Sequence, residues 1–131
     1  MSLSRPFLIK ILLWLGSLFF FVEAVIHGFG LQVLEHDKIF LPTHDRYIAL
    51  FALTYAALLI LISTDLKKYR DLFFVTMGGI LLSMANALLI SRTGGYSRFF
   101  PVESLDKELG ILGAVFVVWY IATWIFWWIK K

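Results

Sequence analysis

Residues 7–30 read FLIKILLWLGSLFFFVEAVIHGFG. One lysine near the start and a glutamate and a histidine near the end are the only ionisable groups in this apolar run. At 1.5 Å per residue, about 20 mainly apolar residues carry an α-helix across a hydrocarbon core of about 30 Å. Three more such stretches follow, at about 47–63, 72–91 and 109–129. Pro42 and the run Glu35-His36-Asp37-Lys38 interrupt the first gap, Asp65, Lys67, Lys68 and Arg70 the second, and Gly94, Gly95 and Pro101 the third. The ten-residue alternation of β-barrel strands is missing. The sequence therefore predicts an all-α fold: an integral membrane, antiparallel four-helix bundle, a single domain over 1–131.

Bulk composition agrees. Of 131 residues, 60% are hydrophobic and 16% charged, and mean hydropathy is +0.84. Soluble chains run about 25% charged, so too few polar groups are present to cover a globular surface. A cytosolic enzyme, a nucleic-acid-binding module and a disordered tail are excluded. The chain has no cysteine, which removes disulfides, thiolate metal sites and cysteine nucleophiles. Small residues around Val22-Glu23-Ala24 offer a signal-peptidase pattern, but the first stretch is read as a retained membrane helix.

Charge predicts orientation. Arg5, Lys10, Lys67, Lys68, Arg70, Lys130 and Lys131 fall at the termini and second turn, against Lys38, Arg46, Arg92, Arg98 and Lys107 in the other two loops. The positive-inside rule then puts both termini and the 64–71 turn in the cytoplasm. The formal charge of +3 belongs to this asymmetry, and no nucleic acid is expected as a partner. Trp124, Trp127 and Trp128 before Lys130 and Lys131, and Trp14 one turn beyond Lys10, fit interfacial anchors. A multi-pass protein of a prokaryotic plasma membrane is expected.

Ionisable residues inside a span cost about 2.5–3.5 kcal/mol each on insertion scales, which singles out Glu23 and His27. Four positions apart, they share one helix face. Glu23 lies ~20 Å beyond Lys10, in the outer half of the bilayer. Thr54, Tyr55, Asn86 and Arg92 occur at matching depth on the second and third spans. With Glu23 and His27 they are the expected ligand or ion site, covered by the 35–46 loop. A structural reading stands beside it, in which Glu23 bonds His27 or Arg92 and fixes helix register.

Metal chemistry would use the same pair. Glu23 and His27 at i, i+4 can share one ion, with His36 and His44 adding nitrogen ligands. A di-iron bundle needs more carboxylates within the spans than this chain carries, and a bis-histidine haem would need a loop histidine or a second subunit. No Gly-x-Ser-x-Gly elbow is present, and no catalytic residues are assigned. Thr43 or Asp45 is expected to cap the second helix, and 104–108 to open the fourth, with acidic residues complementing its dipole.

The function expected is that of a small polytopic membrane protein without catalytic activity of its own, a subunit of a larger membrane complex or a homo-oligomer. Its partners are the lipid bilayer and other membrane subunits or further copies of itself. Close-packing faces are offered by Gly78, Gly79, Ser83 and Ala87, and by Gly110, Gly113 and Ala114. The alternatives are a proton, ion or small-ligand channel or carrier using Glu23 and His27, and a redox subunit binding haem, copper or quinone. No one cofactor is selected.

Overall fold

The computed structural model describes residues 4–34, 36–39, 41–93 and 105–128, with side chains of the last helix described through 125. Four helices make up the described fold: α1 (Arg5–Phe29), α2 (Pro42–Thr64), α3 (Arg70–Arg92) and α4 (Leu105–Trp128). A 3₁₀ turn, His36–Lys38, lies between α1 and α2. All four helices are long and apolar enough to cross a membrane. Gly94, Gly95, Pro101 and Ser104, and the side chains of Trp127, Trp128, Lys130 and Lys131, lie outside the described residues.

Two helix starts come earlier than the apolar stretches suggest. α2 begins at Pro42, where the ring's fixed φ suits a first helical position and its missing N–H costs nothing. Leu41, not Thr43 or Asp45, is the N-cap residue, and no side chain caps the helix. Asp45 instead sits inside the first turn and accepts the Leu41 N–H at 2.7 Å. α4 likewise starts at Leu105, so Asp106 and Glu108 form part of its first turn. Hydropathy underestimates both helices because their opening turns are polar.

α1 ends for a local reason. Gly30 adopts φ 65°, a left-handed conformation that glycine enters without a Cβ penalty. The N–H groups of Gly30 and Leu31 both turn back to the Ile26 carbonyl. The chain thereby reverses one turn after His27 and lays residues 36–39 against the bundle end. At the opposite end, Asp65 Oδ1 accepts the N–H groups of Lys67 and Lys68 at 3.1 and 3.0 Å, making a tight Asx turn into α3.

The helices pack in chain order around a square. α1 lies chiefly against α2, and α3 against α4, while α1–α4 and α2–α3 contacts close the ring. Close α3–α4 approach depends on Gly113, where a Cβ would stand 2.8 Å from Leu88 and 3.2 Å from the Met84 carbonyl. The fully buried side chains Leu13, Leu59, Ile62, Phe73 and Met77 fill the half of the bundle nearer the N-terminus and the 65–69 turn. Large apolar side chains point outward on every helix, among them Leu18, Phe51, Val75, Leu82 and Val118. Soluble monomers rarely expose such continuous apolar surface, and the four helices that carry it are long and apolar enough to cross a membrane.

Candidate metal centre

In the half away from that core, four segments bring ionisable groups together. α1 supplies Glu23 and His27 on one face, and the 3₁₀ turn supplies His36 and Asp37. Asp45 comes from the first turn of α2, and Glu108 from the first turn of α4. His27, Asp37 and Asp45 are buried, and Glu23, His36 and Glu108 partly so.

Each imidazole is held from behind by a carboxylate. His27 Nδ1 lies 2.8 Å from Asp45 Oδ1, and His36 Nδ1 lies 2.5 Å from Glu108 Oε1. An ionised carboxylate only accepts, so both Nδ1 atoms carry the hydrogen and donate it. In the neutral rings, Nε2 is then left with a lone pair. His27 Nε2 stands 3.5 Å from Glu23 Oε2 and 4.0 Å from Asp37 Oδ1. His36 Nε2 stands 3.8 Å from Glu23 Oε2 and 3.2 Å from Asp37 Oδ1.

With both rings neutral, the two Nε2 atoms and the two carboxylates face one another as electron-pair donors with no hydrogen among them to share. Ligand atoms of Glu23, His27 and His36 all lie within 4.8 Å of one another. Asp37 sharpens the point. Its Oδ2 accepts the Val33 and Leu34 N–H groups at 3.2 and 2.7 Å, which fixes the carboxylate. Its Oδ1 is buried without a hydrogen-bond partner and faces the two Nε2 atoms. A buried, unpartnered carboxylate oxygen costs free energy unless a positive charge meets it.

Two fillers restore the balance, a proton or a metal ion. Burial opposes charge on His36, but Glu23, Glu108 and Asp37 around it outweigh burial and raise its pKa to about 9. A metal ion would serve Glu23, His27 and His36 together, with Asp37 Oδ1 beside the two imidazole Nε2 atoms. For metal–ligand bonds of about 2.0–2.1 Å, the donors of a tetrahedral site stand roughly 3.4 Å apart. The four separations between an imidazole Nε2 and a carboxylate oxygen, 3.2, 3.5, 3.8 and 4.0 Å, bracket that spacing. The Nδ1–carboxylate pairs are the outer support that metal-bound histidines ordinarily have, fixing tautomer and ring orientation.

Of the site residues expected from sequence, Glu23, His27 and His36 come together. His44 is exposed on α2 and is not part of the group. Thr54 is exposed and returns its hydroxyl to the Leu50 carbonyl. Asn86 shares the outward stripe of Leu82 and Leu89, and Arg92 is exposed at the end of α3. Depth along the sequence carries no information about helix rotation. Tyr55 lines a cavity of about 500 Å³ that also reaches Glu23 and His36. Asp37, Asp45 and Glu108 are not among the ligands expected from sequence. The acidic residues flanking Pro42 and opening α4 are the available signal, and capping explains them well enough to hide it.

Comparison of the chain with protein-family models, with curated proteins and with solved structures found no significant match.

Proposed function

We propose that this chain is an integral membrane metalloprotein holding one divalent first-row transition-metal ion on His27, His36, Glu23 and Asp37. The observation that carries the reading is the pair of carboxylate-backed imidazoles presenting Nε2 to the unpartnered Asp37 oxygen. Two imidazoles and two carboxylates suit Zn²⁺ or Fe²⁺, whereas Cu⁺ prefers sulfur ligands and Mg²⁺ prefers oxygen and water. With the termini and the 65–69 turn in the cytoplasm, as the positive-inside rule favours, the centre lies toward the non-cytoplasmic face.

The test is metal analysis of protein purified without chelator into lipid nanodiscs. About one zinc or iron per chain is expected, falling below a tenth in His27→Ala/His36→Ala. Wild-type protein that carries no transition metal and binds neither added Zn²⁺ nor Fe²⁺ at micromolar concentration overturns the reading. Orientation is tested separately by cysteine labelling in the cysteine-free background. Arg46→Cys is expected to react from outside and Lys67→Cys only after permeabilisation. The reverse pattern would invert the topology without affecting the metal site.

A subunit or homo-oligomer role remains part of the proposal. The exposed apolar belt suits lipid and a partner helix alike, and native mass spectrometry from the original membrane separates a lone chain from a complex.

A further inference from the structure

The tight core occupies one half of the bundle, and a cavity of about 500 Å³ occupies the other. Its lining comes from all four helices and is apolar and aromatic, with Phe20 in ring contact with both Tyr55 and Phe116 at 5.5 Å. Among the described residues, only one end of the lining is strongly polar, where Glu23 and His36 reach it from the candidate metal centre. Phe51 of α2 and Ser83 of α3 line the cavity and are also exposed. The cavity therefore opens sideways between α2 and α3, at mid-helix, where the surroundings are the apolar belt.

These features select a ligand class. A compound entering between mid-helix positions comes from the lipid phase, and in an apolar lining its polar head has a single destination. Two carboxylates already neutralise a divalent ion, and Asp45 and Glu108 stand one imidazole behind it. An anionic head would add negative charge there, so an uncharged oxygen donor fits best. At ~30 Å³ per water-sized group, about 500 Å³ admits roughly 15–20 non-hydrogen atoms. We infer, building on the metal reading, that the cavity binds a single-tailed lipid-phase amphiphile whose neutral oxygen head, a hydroxyl or carbonyl, meets the bound ion.

The experiment uses metal-loaded protein in nanodiscs and a diazirine-bearing dodecanol as photoprobe, with 1-dodecanol and dodecanoate as competitors. Saturable labelling of cavity-lining peptides is expected, with dodecanol competing at least tenfold better than dodecanoate. Ser83→Trp, which fills the opening, is expected to cut labelling more than tenfold while metal content stays at one per chain. Ala87→Phe provides a second cavity-filling variant if the first fails to hold metal. His27→Ala/His36→Ala is expected to weaken labelling about tenfold. Metal-loaded protein that labels without saturation, or filling variants that keep both metal and labelling, would overturn the cavity assignment. Equal competition by dodecanoate, or undiminished labelling of the metal-free double variant, would overturn the contact between a neutral head and the ion. Metal analysis of the same samples reports separately on the metal reading.

Discussion

His36 Nδ1 meets Glu108 Oε1 at 2.5 Å although the two residues are 72 positions apart in the chain. The contact joins the 3₁₀ turn to the first turn of α4, and the His36 backbone N–H also points at the same oxygen at 3.4 Å. Its effect is to aim Nε2 away from α4, toward Glu23 and Asp37. Replacing Glu108 by alanine is therefore expected to weaken Zn²⁺ binding about 10–100-fold, the usual cost of losing an outer-shell partner. A glutamine side chain keeps a carbonyl acceptor, so Glu108→Gln should lose less than Glu108→Ala. Competition against a chromophoric chelator measures both.

Asp45 links two functions in one carboxylate, accepting from His27 Nδ1 through Oδ1 and from the Leu41 N–H through Oδ2. Asp45→Ala leaves a donor without its acceptor at each end. A stability loss of about 2–6 kcal/mol is expected from two partners left unpaired at about 1–3 kcal/mol each, together with weaker metal binding. Denaturant titration in mixed micelles measures the first effect. An unchanged midpoint would mean that α2 does not depend on this carboxylate.

Removal of the ion should be visible in stability. A ligand bound only by the folded state stabilises it by about 4 kcal/mol at a thousand times its Kd. Chelator is thus expected to lower the melting temperature of the wild type by several degrees. Asp37→Asn removes the unpartnered oxygen's charge and should shrink the chelator effect. If chelator shifts both proteins equally, the ion sits elsewhere.

Protons and metal compete for the same lone pairs, so the sign of the pH effect is fixed. The pKa of His36 in the ion-free protein is raised to about 9 by its surrounding carboxylates, against the opposition of burial. Below about pH 9 an incoming ion must displace that proton, and apparent affinity falls about tenfold per pH unit from this group alone. Zn²⁺ titrations between about pH 6 and 9 should show tightening with rising pH. A flat profile would remove His36 from the ligand set.

Gly30 tests the turn that delivers His36 and Asp37. Its φ of 65° is strained for any residue with a Cβ. Gly30→Ala is expected to cost about 1 kcal/mol and to weaken metal binding by displacing His36 and Asp37. Gly28 has only ordinary contact with Ala49 at 3.7 Å, so Gly28→Ala serves as the control.

The membrane-scale features were legible in residue order. Four long apolar stretches separated by polar breakers require four helices, since a bilayer core demands internally bonded backbone over about 20 residues. Glu23 and His27 stood out in the same way, because an ionisable group within an apolar run is costly wherever the helix packs. Their surroundings depend on packing in three dimensions. Helix rotation turned Asn86 and Arg92 outward, and rotation is set by side-chain packing, which depth along a hydropathy profile does not encode. Two polar opening turns beyond the apolar stretches brought Asp45 and Glu108 behind the imidazoles. The left-handed Gly30 folded His36 and Asp37 back over His27, because long-range convergence of loop and helix ends depends on where the chain turns rather than on any local residue pattern.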